Sequence, residues 1–200
     1  PQAGEALHHP LEAVGDPADL VVGLAVAVEA DPHSADRLGE RLDPRQVLLQ
    51  QQPVGEELHL DEVRLEARGV KFLAIDTKPE NPPVKGAVIL LHGRGVHPAW
   101  GFFDKLRMDI AENKGWRTLS IQLPILDTDT ALEQYGPTLP EAFERIDAAI
   151  AHLRKSGVKK IVLLGHSSGA VTAAYYLAGR PVNTAQGVLL IGLGPGFPPY

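Results

Sequence analysis

The 200 residues suit one domain, or one domain with an appendage. A hydrophobic content of 44% is ordinary for a globular fold, and a net charge of −6 gives no electrostatic reason to expect nucleic acid as a partner. The absence of cysteine excludes disulfides and thiolate metal sites and leaves the compartment open.

The averages conceal a break near residue 70. Residues 1–70 contain no Ile, Lys, Met, Asn, Thr, Phe, Trp or Tyr, and hold 14 acidic against 5 basic residues, net −9. The remainder holds 11 acidic and 14 basic residues, net +3, and every aromatic side chain. A segment without aromatics or Ile has little from which to build a dense core. Residues 1–60 therefore read as a low-order extension; a stretch foreign to the native polypeptide is the other reading its narrow composition allows. The apolar run at 20–28 is too short to span a bilayer, and acidic residues precede it, unlike a signal peptide. His8, His9 and His33 have no carboxylate or cysteine at ligand spacing and read as part of a solvated tract. The first residue is Pro1 and the only methionine is Met108, which suits a fragment or a processed chain.

From residue 62 the pattern is that of a folded domain. Val63, Leu65 and Ala67 alternate with polar residues, Gly69 allows a reversal, and residues 71–76 give the second strand of a hairpin. Residues 79–83 are a proline-bounded loop. Residues 87–91 form an apolar strand that runs into His92-Gly93-Arg94-Gly95. A helix is predicted over 98–113, with Phe103, Leu106 and Ile110 on one face and Gly115 as its stop. Residues 117–122 give a strand, and 127–137 a polar loop. Pro140 opens a helix whose apolar stripe is Phe143, Ile146, Ile150 and Leu153, closed by Gly157. Residues 187–193 are one more apolar strand. Strands alternating with helices, with nearly continuous apolar strands, predict a mainly parallel α/β sheet covered by helices on both faces, with the antiparallel hairpin at one edge.

Between these elements lies the most informative stretch. The apolar residues 161–164 are followed at once by Gly165-His166-Ser167-Ser168-Gly169 and by a helix rich in small residues. A G-x-S-x-G pattern between strand and helix reads as a nucleophile elbow, a strained turn that lifts Ser167 above the strand ends. The helix N-terminus offers N–H groups and partial positive charge to a developing oxyanion.

With its His92-Gly93 strand end and its GHSSGA elbow, the stretch from residue 62 to 192 resembles the α/β-hydrolase superfamily. The pieces LLHGRGVHPAW and GWRTLSIQLP resemble a poorly characterised bacterial branch of it. The resemblance implies Ser167 as nucleophile and the backbone N–H groups of Arg94 and Ser168 as oxyanion hole. It implies an esterase or thioesterase working through an acyl-enzyme on a small ester-like substrate, without cofactor or metal. That family places an acid and then a histidine after the serine, whereas residues 169–200 contain no Asp, Glu or His. The expectation is a domain cut after its sixth strand, its general base and orienting acid lying elsewhere. A non-catalytic binding or scaffold protein on the same fold is the alternative.

Candidates for substrate contact are His97, Trp100 and Asp127; a solvated loop position and core packing are the plainer roles for the first two. Arg94 reads either as an anion contact or as a solvated charge. His92 and His166 are expected to have structural roles, and His152 to suit the end of its helix. Asp127 and Asp129 lack a third ligand near in sequence and make a weak metal pair. Glycines 192, 194 and 196 open no helix and are discounted as a dinucleotide loop. An open sixth-strand edge is expected to favour self-association.

Overall fold

Two residues reverse the chain between β1 (Asp61–Ala67) and β2 (Val70–Thr77). Arg68 (φ 53°) and Gly69 (φ 72°) both take positive φ, the backbone of a two-residue primed turn whose twist matches paired strands. The register sets Leu65 opposite Phe72, and both are buried. The structure, a computed structural model, describes residues 61–126, 130, 132–181 and 183–193. The readings made for the N-terminal extension, Asp127, Asp129 and the glycines at 194 and 196 lie outside these residues.

Four further strands complete the described sheet: β3 (Ala87–Leu91), β4 (Arg117–Ile121), β5 (Ile161–His166) and β6 (Gly187–Ile191). The order is β1-β2-β4-β3-β5-β6; β1–β2 and β2–β4 pair antiparallel, and the other neighbours pair parallel. The helices are α1 (Gly101–Lys114), α2 (Leu139–Lys155) and α3 (Ser168–Ala178). Strand alternation divides the core between two faces. Ile89, Leu91, Leu119 and Leu163 pack with Ile146, Ile150 and Leu153 of α2 and Tyr176 of α3. Val88, Leu90, Val162 and Leu164 pack with Phe103 of α1 on the other side. The mainly parallel sheet with helices on both faces and an antiparallel edge hairpin is as expected from the sequence.

Three boundaries differ from expectation. The helix predicted from residue 98 begins at Gly101, because His97 to Trp100 form a separate turn, with Trp100 N–H donating to His97 C=O at 3.0 Å. Ser120 Oγ donates to Pro98 C=O at 2.9 Å and holds that turn against β4. The predicted loop at 127–137 contains a 3₁₀ helix, Leu132–Thr138, whose Tyr135 is buried with Leu139 and Val171. The last strand stops at Ile191, since Gly192 (φ 61°) bends the chain. Leu189 of β6 is 39% exposed, because among the described residues β6 has a strand neighbour on one side only.

Two buried arginines carry structural weight. Arg107, on the same row of α1 as Phe103 and Ala111, is 1% exposed. It donates to Thr77 Oγ1 and Asp104 Oδ1, both at 2.7 Å. Arg117 opens β4 and is paired twice with Asp76 of β2; its Nε lies 2.7 Å from Oδ1 and its Nη2 donates to Oδ2. It also reaches Ser156 Oγ beyond the end of α2, at 2.5 Å. Asp76 and Arg117 are 2% and 7% exposed, so removing one partner strands the other in a low-dielectric environment. Asp76→Ala should lower unfolding free energy by about 3–5 kcal/mol in urea titration, far beyond an exposed-pair loss. A drop under about 1 kcal/mol would show that Ser156 and water suffice for Arg117.

Candidate active site

The parallel strands all end on one side of the sheet, and the loops beyond them gather there. β5 ends at His166 and α3 starts at Ser168, so one residue makes the whole turn. That residue, Ser167, has φ 53° and ψ −120° and is exposed. Such a backbone costs an L-residue about 1–3 kcal/mol and persists only where its surroundings hold it. Here the hold is explicit. Ser167 N–H donates to Ile191 C=O at 2.8 Å, and its C=O accepts from Ala170 N–H at 2.9 Å and Val171 N–H at 3.2 Å.

Glycine is required on both sides of the serine. A Cβ on Gly169 would lie 2.1 Å from Leu91 O, and one on Gly165 would lie 2.4 Å from Gly169 O. Both are far inside contact distance and both meet backbone, which cannot move aside. The N-terminus of α3 is thereby seated directly against the end of β3. Gly93 continues that strand end beside the turn; its Cβ would fall 3.3 Å from Ser167 Cβ. Arg94 and Ser168 then line one narrow cleft. Among the described residues neither backbone N–H is paired with an acceptor.

His92 pins this arrangement from below. Its ring is 2% exposed; Nδ1 lies 2.8 Å from Gly93 C=O. Nε2 accepts from Leu123 N–H at 3.0 Å and lies 2.9 Å from Gln122 Nε2. These partners define a neutral imidazole that donates from Nδ1 and accepts at Nε2. Burial pushes its pKa down from 6.5 to about 4. His92 thus ties the loop after β3 to the loop after β4, the structural role expected of it.

The other described histidines make packing or polar contacts. His166 stacks against Trp100 and Phe102, with ring centroids 5.1 and 5.5 Å away, and burial lowers its pKa. His97 is half-buried, and burial lowers its pKa although Asp104 pulls the other way. His152 Nε2 sits 3.7 Å from Asp76 Oδ2, beside the buried Asp76–Arg117 pair. Among the described residues no side chain hydrogen-bonds Ser167 Oγ. Trp100 belongs to the aromatic cluster around His166 and is not among the residues lining the cleft. The Arg94 side chain is exposed and donates to Thr130 C=O at 3.3 Å. Sequence reasoning missed other residues lining the cleft, Leu123, Tyr135, Thr138 and Thr172. Thr172 was within reach, being one helical turn after Ser168, whose C=O accepts from its Oγ1 at 2.9 Å. Nothing in the sequence marked Tyr135.

A family model described as "Protein of unknown function (DUF3530)" matches residues 24–141 and 137–193, most of the chain. The chain belongs to the DUF3530 family. No curated protein matches this DUF3530 chain. Among solved structures it is similar to dienelactone hydrolase from Anabaena variabilis, at 22% identity and TM-score 0.54, covering 65% of this chain and 61% of that one. It is similar also to Est1E from Butyrivibrio proteoclasticus, at 23% identity and TM-score 0.47, over 58% and 45% of the two chains. The epoxide hydrolase VrEH1 from Vigna radiata follows at 22% and 0.45, over 64% and 37%. The DUF3530 chain spans less than two thirds of the length of each of these structures. Its fold is the α/β-hydrolase fold, as the sequence motifs implied.

The depressed pKa of His92 has a measurable consequence for the DUF3530 chain. The unfolded chain takes up the proton near pH 6.5, whereas the folded one does so only near pH 4. The stabilisation is therefore whole above about pH 6.5 and is lost as pH falls toward 4. His97 and His166, both lowered, act in the same direction. Urea titrations at neutral pH and near pH 4 should differ by about 3 kcal/mol or more, and His92→Gln should flatten that slope. Equal stability at the two pH values would mean that His92 is charged in the fold.

Proposed function

We propose that the whole protein is a serine hydrolase of esterase or thioesterase type. In this reading Ser167 Oγ attacks the carbonyl carbon of a small ester-like substrate while a general base takes its proton. The tetrahedral oxyanion forms between the N–H groups of Arg94 and Ser168, and the alcohol or thiol leaves with a proton to give an acyl-serine. Water then repeats the addition, releasing the acid and restoring the serine. One observation supports this most strongly: an exposed serine at positive φ, at a strand-to-helix junction, beside two backbone donors that meet no acceptor among the described residues. An ordinary surface serine has no need of that strain.

Residues 169–200 offer no acid or histidine, and no described histidine reaches Ser167 Oγ. The reading therefore leaves the base and its orienting acid outside the described residues. Asp127 is kept as a substrate contact; His97, like Trp100, is not among the residues lining the cleft, and Trp100 is the support that holds His166 and the turn. That no described side chain hydrogen-bonds Ser167 Oγ equally favours a second reading, a binding or scaffold protein that uses the fold without chemistry.

A fluorophosphonate probe separates the two. The whole protein should be labelled at Ser167, and Ser167→Ala should abolish labelling and cut ester hydrolysis by about a thousandfold or more. A folded whole protein that leaves Ser167 unlabelled would establish the scaffold reading.

We also infer that the 200-residue chain self-associates along β6, whose outer edge carries Leu189 and has no strand partner among the described residues. Light scattering should show mass rising with concentration, and Leu189→Lys should suppress the rise; a constant monomer mass would refute it.

A further inference from the structure

The end of the sheet opposite Ser167 holds a second, chemically different concavity. Its volume is about 460 Å³, within the size range of small-ligand sites. Five cationic residues line it: Lys78 follows β2, Lys85 precedes β3, Arg117 opens β4, and Lys159 and Lys160 precede β5. Four of them come together because the parallel strands β3, β4 and β5 begin at this edge, and Lys78 joins them because β2 runs antiparallel and ends there. No Asp or Glu is among the described residues that line the cavity. Asp76 lies behind Arg117 and neutralises it, so the net charge of the lining is carried by Lys85, Lys159 and Lys160.

The cavity is built, and more than a scatter of surface lysines. Gly86 has no room for a side chain: a Cβ would lie 2.5 Å from the Trp116 ring and 2.8 Å from Lys160 O. Glycine there lets the segment carrying Lys85 close onto the segment carrying Lys160. The backbone beneath the lysines is bonded across strands, with Lys85 N–H to Gly115 C=O at 3.0 Å and Ala87 N–H to Lys160 C=O at 2.8 Å. Arg117 N–H donates to Gly86 C=O at 2.9 Å. The side-chain origins are thus preset, which reduces the ordering cost of binding. The C-terminal end of α2 also faces the cavity through Ser156 and Gly157. Two of its last four carbonyls, Leu153 and Arg154, already accept from Val158 and Gly157 N–H, a Schellman arrangement that blunts their negative potential. Clustered ammonium groups raise one another's free energy within a Debye length, and a multiply charged anion relieves that repulsion.

We propose that this cavity binds a phosphate-bearing, multiply charged anion, at a site separate from Ser167. Lysine acts at such sites as a point charge and donor, suited to the many oxygens of a phosphate. The test uses the full 200-residue chain and inorganic tripolyphosphate in titration calorimetry. Saturable binding that weakens with added sodium chloride is expected. Lys85→Glu with Lys160→Glu should weaken it by about tenfold or more. Lys85→Gln and Lys160→Gln, which only remove charge, should each have a smaller effect in the same direction. Lys105→Glu, an exposed control on α1, should leave it unchanged. A parallel co-sedimentation with phosphatidylcholine vesicles containing phosphatidic acid, whose phosphomonoester is multiply charged, identifies the source of the phosphate. Binding to vesicles alone, lost in the double variant, supports the same recognition of a lipid headgroup. Binding to neither probe, or equal binding by the double variant and its parent, overturns the proposal. Fluorophosphonate labelling is independent of every arm, so the two assignments fail separately.

Discussion

The absence of two Cβ atoms holds the candidate site together. Gly169 and Gly165 let the first turn of α3 press its backbone against the end of β3 and against the turn itself, at separations no side chain could share. The positive φ of Ser167 follows from that contact, since a helix so close to its own strand leaves a single residue for the reversal. The exposure of the serine and the orientation of the neighbouring N–H groups follow in turn. Strain at one residue is balanced by hydrogen bonds on both sides of it and by the packing of a small-residue helix.

The two ends of the parallel sheet are electrostatically unlike. At the strand ends the groups are backbone dipoles and the single Arg94 guanidinium, with His92 kept neutral by burial so that its ring can bridge two loops. At the strand starts the groups are full charges, most of them lysines on exposed loops around the buried Asp76–Arg117 pair. Partial charges held rigidly suit a charge that develops briefly; full ammonium charges suit a charge that is already present. The core between these ends is apolar on both faces of the sheet.

Much of the architecture was legible in the residues. The alternation at Val63, Leu65 and Ala67 marked a half-covered strand, the run 87–91 a strand buried on both faces, and Gly115 and Gly157 the helix ends. Arg107 was not legible: it falls on the inward row of α1, and a charged residue there reads as a break in the stripe until Thr77 and Asp104 are seen to satisfy it. Tyr135 was likewise hidden in a polar stretch, because its burial comes from Leu139 and Val171, one of them far away in the chain. The start of α1 was misplaced because the turn at His97 to Trp100 is held by Ser120, a partner remote in sequence.

Local chemistry settled the elements and their order. Periodicity, glycine placement and a serine between two glycines are properties of neighbours along the chain, and they carry over into strands, helices and one sharp bend. Contacts between residues far apart in sequence could be settled only by the folded chain: which residues line the cleft, which histidine stays neutral, and which cations share a cavity. Those depend on strand order, and strand order arises from packing whole elements against one another, which no local pattern encodes.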